Sequence, residues 1–214
     1  MSQKPITIMV VDDHHVVREG LVTLLKMVNG LQVVAEAGDA AGALEQFRAH
    51  SPDVTIIDLR LPGRSGAEVI KILRSETEKA RFIVLSAHGG EEVVYRAVQA
   101  GARAYLLKGV TNNELIETIR AVYAGRSHFP PEIAAALARR LTAGGLTARE
   151  TDVLGKIAHG MSNKRIAVSL EILEATVKAH VNNLLSKLGV ADRTQAATAA
   201  IQRGIVNLDV YRDT

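Results

Sequence analysis

Val54-Thr55-Ile56-Ile57-Asp58-Leu59-Arg60-Leu61-Pro62-Gly63 opens with a short apolar, β-branched run and stops on a carboxylate. A run this short suits a strand better than a helix. The same grammar recurs upstream, where Ile6–Val11 is stopped by Asp12 and Asp13. Three further runs have strand character: Gln32–Ala37, Phe82–Leu85 followed by Ser86, and Ala104–Leu107 followed by Lys108. Between them lie helical patterns at Val16–Met27, Ala40–His50, Ala67–Ser75, Glu91–Ala100 and Asn113–Ala124. The last opens with Thr111-x-x-Glu114, which predicts a reciprocal capping box. Five strand–helix alternations predict an α/β fold, a doubly wound five-stranded parallel sheet covered by helices on both faces. The commonest small arrangement has strand order 2-1-3-4-5.

The chain has 214 residues, enough for two domains, and 47% of them are hydrophobic. It has no cysteine, which excludes disulfides and thiolate chemistry and fits a reducing cytoplasm. Aromatic residues are only 3%, which argues against stacking platforms for single strands and against an aromatic small-molecule pocket. The apolar run at Ile6–Val11 is too short for a membrane span or a signal-peptide core, so a soluble cytoplasmic protein is expected.

The sequence predicts three parts: residues 1–124, a linker at 125–145, and 146–214. Gly125 and Pro130-Pro131 end the strand–helix pattern, Glu132–Leu141 reads as a short helix, and Gly144-Gly145 reads as a hinge. The remainder has no strand pattern and reads as four short helices. They start near Thr147-x-x-Glu150, after Ser162, near Glu174 and at Asp192-x-x-Gln195. Formal charge is −1 over residues 1–123, +2 over 124–145 and +2 over 146–214. A surplus this small means that any nucleic-acid contact depends on where the cations stand.

The polar residues gather where an open parallel sheet binds ligands, beyond the C-terminal strand ends at the point where strand order reverses. Asp12, Asp13 and Asp58 fall at the two strands flanking that point, with Ser86 and Lys108 on the next two. Three adjacent carboxylates repel one another, and a hard divalent cation such as Mg²⁺ relieves the conflict. One carboxylate can then attack phosphorus, Lys108 can neutralise the transferred charge, and Ser86 can bond to it. The bland alternative is a set of loop aspartates and a surface lysine, which five such groups at four successive strand ends disfavour. His14-His15 beside Asp13 reads as a helix-start pair rather than a transition-metal site.

These pieces resemble the receiver domain of bacterial two-component response regulators. They are Val11-Asp12-Asp13-His14, Asp58-Leu59-Arg60-Leu61-Pro62-Gly63 with Gly66, Leu85-Ser86-Ala87 and Tyr105-Leu106-Leu107-Lys108. The resemblance implies that Asp58 is the phosphoacceptor. It implies Mg²⁺ held by Asp13, Asp58 and the Arg60 carbonyl, with Asp12 helping through water. Ser86 and Tyr105 would be a switch pair. Departures from the pattern are His15 where proline is frequent and Gly109 after Lys108.

The third C-terminal helix places Val177, Val181, Leu184, Leu185 and Leu188 on one face. Ala175, Ala179, Asn182 and Ser186 lie opposite, flanked by Thr176, Lys178 and Asn183. That small polar face fits a major groove, and by itself fits a solvated surface equally well. Its surroundings resemble the LuxR-type helix-turn-helix: Leu146-Thr147-x-Arg149-Glu150, Gly160-Met161-Ser162-Asn163-Lys164, Thr176-Val177-Lys178-x-His180 and Lys187-Leu188-Gly189-Val190. The whole chain thus looks like a NarL/FixJ-type response regulator. That resemblance implies a sensor histidine kinase as partner, double-stranded DNA as target and a homodimer on phosphorylation. It implies base contacts from Lys178, Ala179 and Asn182, and phosphate contacts near Asn163, Lys164, Thr176 and Lys187. Leu173 stands where the family usually has Ser or Thr, and Asn182 where a basic residue is frequent. Two other readings use the same residues: a carboxylate-based phosphatase, and a receiver with a protein- or RNA-binding output. Phosphatases that resemble this site usually space their acids as Asp-x-Asp on the first strand, whereas Asp12 and Asp13 are adjacent.

Overall fold

The computed structural model describes residues 4–87, 89–142 and 145–206. Their described parts form two compact units, Met1–His88 with Val94–Ala134, and Gly89–Val93 with Ala135–Thr214. Gly144, half of the expected hinge, and residues 207–214 lie outside the described residues.

The first unit alternates strand and helix. In chain order these are β1 (Ile6–Val11), α1 (His15–Lys26), β2 (Leu31–Ala37), α2 (Ala40–His50), β3 (Val54–Ile57) and α3 (Gly66–Glu76). They continue as β4 (Phe82–Ser86), α4 (Glu91–Ala100), β5 (Ala104–Leu107) and α5 (Asn112–Tyr123). All four strand pairings are parallel and the order is β2-β1-β3-β4-β5, as the alternation predicts. Every residue of β3 and β4 is buried. Continuous burial explains why these strands carry apolar runs, interrupted by Thr55 and closed by Ser86, instead of alternating ones.

On one face of the sheet, Ile8, Val10, Ile56, Ile83 and Leu106 pack with Leu25 of α1 and Leu115 and Ile119 of α5. Past α5 the chain turns at Gly125, whose φ of +84° suits glycine. His128 then extends the sheet edge by a single parallel bridge to Ala104. Its N–H donates to the Arg103 carbonyl, and its carbonyl accepts from the Tyr105 N–H. The expected capping box on α5 is only half formed. Thr111 accepts from the Glu114 N–H, but the Glu114 carboxylate reaches toward His128, 3.7 Å away.

The helices beyond Pro130 are α6 (Pro131–Thr142), α7 (Ala148–Ala158), α8 (Asn163–Ser169), α9 (Glu174–Leu188) and α10 (Arg193–Gln202). Val153, Leu154 and Ile157 of α7, Ile166 of α8, Val177, Leu184 and Leu188 of α9, and Ala196 and Ala200 of α10 form one core. Val181 and Leu185 pack against it, so the face of α9 read from the sequence is the buried one. Thr147 and Glu150 cap α7 reciprocally, as their spacing predicts. Gly189 ends α9 in the left-handed conformation, at a φ of +66°.

Candidate phosphoacceptor site and nucleic-acid interface

Adjacent parallel strands bring the acids together. Val11 of β1 pairs with Ile57 of β3, so the residues that follow, Asp12 and Asp58, leave the sheet side by side. The Asp58 N–H donates to the Val11 carbonyl, and the Asp12 N–H to that of Ala37. Strand order reverses at this pair, where an open sheet leaves a crevice. Asp58 is 4% exposed and Asp12 1%, while Asp13 remains exposed.

Lys108, at the end of β5, reaches across to both buried acids. Its Nζ lies 2.5 Å from Asp58 Oδ2 and 2.8 Å from Asp12 Oδ2. Burial alone would lower the Lys108 pKa, but the bonds to Asp12 and Asp58 and their charges outweigh it and raise it. The lysine is therefore a fixed cation at neutral pH. Its backbone N–H donates to the Ser86 carbonyl, which ties the ends of β4 and β5 together.

Ser86 is almost fully buried, and its side chain is bonded to Tyr105. Tyr105 is fully buried, and its pKa is pushed up to about 12. Burial is the main cause, the bond to Ser86 opposes it, and the nearby Asp58 charge adds to it. The two residues of the expected switch pair are thus in contact, with the tyrosine inside.

The loop after Asp58 is shaped by two residues. The Arg60 N–H donates to Asp58 Oδ1 at 3.3 Å. Gly66 opens α3 against the loop: a Cβ there would lie 2.1 Å from the Asp58 carbonyl oxygen. Ser65 and Glu68 cap the same helix reciprocally and hold its first turn. On the other side, Arg18 donates from a guanidinium nitrogen to the Asp12 carbonyl at 2.6 Å and pairs with Glu36 at 3.3 Å. Arg18, Ser65 and Glu68 are not among the site residues named from the sequence. The Ser-x-x-Glu spacing was a usable signal for the last two, whereas nothing in the spacing of Arg18 points to Asp12.

Ligand atoms of Asp12, Asp13, His14 and Asp58 lie within 4.8 Å of one another. Carboxylate oxygens suit a hard divalent cation such as Mg²⁺. The Lys108 ammonium between Asp12 and Asp58 already shows that these oxygens gather around positive charge.

The second unit exposes the other set of expected residues. Thr176, Lys178, Ala179 and Asn182 are all exposed on α9, opposite its buried face. Lys178 makes only a loose i,i+4 pair with Glu174, at 3.5 Å. Lys164 is exposed on α8, while Asn163 is half-buried and accepts from Arg193 at 2.9 Å. Lys187 is exposed but paired within the unit: its Nζ lies 2.7 Å from Glu150 Oε2, and Glu150 is 3% exposed. Burial works to raise the Glu150 pKa, but Lys187 and the Thr147 cap outweigh it and hold it below the ordinary value. Among the described residues, no helix is long and apolar enough to cross a membrane.

Comparison with known proteins bears on both units. The family model "Response regulator receiver domain" matches residues 8–120, and "Bacterial regulatory proteins, luxR family" matches 145–200. The chain is 38% identical over 208 residues to the probable transcriptional regulatory protein NarL of Mycobacterium tuberculosis, covering 94% of this chain and 96% of that protein. It is 39% identical over 206 residues to the nitrate/nitrite response regulator protein NarP of Escherichia coli, covering 93% and 96%. Among solved structures, the response regulator ChrA of a heme-sensing two-component system matches with a TM-score of 0.57 at 36% identity, covering 94% of this chain and 99% of that one. A complex of the response regulator RcsB with DNA matches with a TM-score of 0.70 at 21% identity over 92% of this chain and 98% of that one, a likeness of fold.

Proposed function

This chain belongs to the two-component response regulators that join a receiver domain to a LuxR-type DNA-binding domain, and we propose that Asp58 is its phosphoacceptor and that phosphorylation there controls sequence-specific DNA binding. The observation that carries the reading is the buried Asp58 carboxylate at the strand-order reversal, with Lys108 bridging it to Asp12. We assign residues 1–124 to the receiver, 125–145 to the linker and 146–214 to DNA binding, in a cytoplasmic protein.

In the transfer, a carboxylate oxygen of Asp58 attacks phosphorus of a phosphohistidine on a sensor kinase. The O–P bond forms as the P–N bond breaks, and the electron pair leaves with the imidazole nitrogen. The product is an acyl phosphate. Lys108 is placed to neutralise charge on the transferred oxygens, which is most of what phosphoryl transfer asks of a protein. Asp13 and Asp58, with the Arg60 carbonyl, would hold Mg²⁺, with Asp12 behind them. Bound there, the ion would supply charge neutralisation for the acids and the phosphoryl group together. Water attack on phosphorus then returns the free carboxylate and inorganic phosphate, so the chain resets itself without acting as a turnover enzyme.

Phosphate on Asp58 draws the Ser86 hydroxyl toward it. Tyr105 is bonded to Ser86 and lies beside the His128 bridge, so the pair links the site to the segment beyond α5. The output is a homodimer on inverted half-sites. Lys178, Ala179 and Asn182 read base edges, and the phosphate contacts fall near Asn163, Lys164, Thr176 and Lys187. Phosphorylation by a phosphohistidine kinase or a small phosphodonor tests the acceptor. Intact-mass measurement should show one phosphate adduct, dependent on Mg²⁺ and absent from Asp58→Asn. An undiminished adduct on that variant would assign the acceptor elsewhere.

A further inference from the structure

His14 and His15 start α1, as the sequence predicts, but the His14 ring does more than mark a helix start. His14 occupies the N-cap of α1, yet its side chain makes no capping hydrogen bond. Instead Nδ1 turns to the acids, 2.8 Å from Asp13 Oδ1 and 3.3 Å from Asp12 Oδ1. The backbone holds it there, because the His14 N–H donates to Asp12 Oδ1 at 2.9 Å. Its neighbour His15 points elsewhere, with Nδ1 3.5 Å from Glu19 on the next turn.

We propose that His14 is a nitrogen ligand at the carboxylate cation site, one that transition-metal ions engage through Nδ1 and that Mg²⁺ leaves out. The inference rests on the carboxylate site proposed above. Imidazole suits Zn²⁺ and its neighbours, whereas Mg²⁺ prefers oxygen and keeps its waters. His14 thus sets which divalent cation the site retains. The ring is 63% exposed at its side chain, so it can swing onto an ion without disturbing the core. A borderline metal would gain one ligand that Mg²⁺ does not use and would compete with it for Asp13 and Asp58.

The probes are Zn²⁺ and Mg²⁺ with the full-length chain. Nitrogen-15 spectra of the histidine rings, assigned with His14→Gln, should show His14 Nδ1 moving to a metal-bound shift with Zn²⁺ and not with Mg²⁺. Calorimetry should show His14→Gln losing about ten-fold or more in Zn²⁺ affinity at this site and under about three-fold in Mg²⁺ affinity. His15→Gln should change neither. An unmoved Nδ1 in the wild-type chain overturns the proposal without any variant, and so does an equal loss for both ions, which would make His14 a partner of the acids only. If Asp58→Asn leaves the binding of both ions unchanged, the carboxylate site itself is wrong, and the inference falls with it.

Discussion

At the scale of single residues, the two lysines named for different tasks turn out to share one arrangement. Lys108 and Lys187 each neutralise a buried carboxylate, the first at the strand-order reversal and the second between α7 and α9. Lys187 bonded to Glu150 is part of what holds α7 to α9. Replacing it with methionine should destabilise the C-terminal helices by about 1–3 kcal/mol, because Glu150 would be left buried without its charged partner. A thermal melt checks this, and an unchanged midpoint would make Lys187 a DNA contact only. The pair also predicts a pH dependence. The folded-state pKa of Glu150 is lowered from 4.5, so its stabilisation is fully present above that value. It is lost as pH falls through the lower, folded-state pKa. The melting midpoint should therefore drop in that acidic window, and the drop should shrink in Lys187→Met. Gly66 gives a third test. Its missing side chain is what lets α3 approach the Asp58 carbonyl. Gly66→Ala must shift backbone, and it should slow phosphate uptake at Asp58 while lowering stability by about 1–3 kcal/mol. Wild-type uptake in that variant would show that the loop yields freely. The acids, Ser86 and Lys108 were legible because each sits at a strand end, where sequence position maps directly onto the sheet edge. Arg18 and the turn of the His14 ring toward Asp13 were not, because side-chain direction at a helix start is set by tertiary neighbours.

At the scale of elements, nearly every boundary fell within a residue or two of its pattern. Buried parallel strands write themselves as apolar runs, and helices as stripes with polar caps. Capping chemistry was less legible. Ser65-x-x-Glu68 forms a full box, while Thr111-x-x-Glu114 forms half of one, its Glu114 carboxylate lying 3.7 Å from His128. That neighbour lies past the end of α5, out of view of any local spacing rule. Leu173 is the element-scale departure that the structure decides. It is the N-cap of α9, has no capping bond, and is 76% exposed. Packing therefore gives little reason to keep leucine there. Leu173→Ser should add a cap and stabilise the helix by about 1 kcal/mol, visible as a raised melting midpoint. A lowered midpoint would mean that the exposed leucine contributes contacts worth more than a cap.

At the scale of the whole molecule, the alternation of strands and helices and the later all-helical stretch announced two kinds of unit. The first unit also takes in residues past Ala124, through the backbone pairing of His128 with Arg103 and Tyr105. A single-residue bridge has no periodicity, so it leaves no trace in sequence. Its consequence is mechanical, since a shift of Tyr105 on β5 is shared with the chain that leads toward α6. DNA binding should weaken as salt rises, because phosphate contacts release counterions, so affinities must be compared at one ionic strength. The most direct test of a phosphorylation-controlled regulator is the affinity of the full-length protein, with and without phosphate on Asp58, for a duplex selected from random DNA. Phosphorylation should tighten binding and shift the protein to a dimer in sedimentation. Equal affinity and equal mass in the two states would contradict the coupling, and would leave a receiver and a DNA-binding domain that share a chain without sharing a signal.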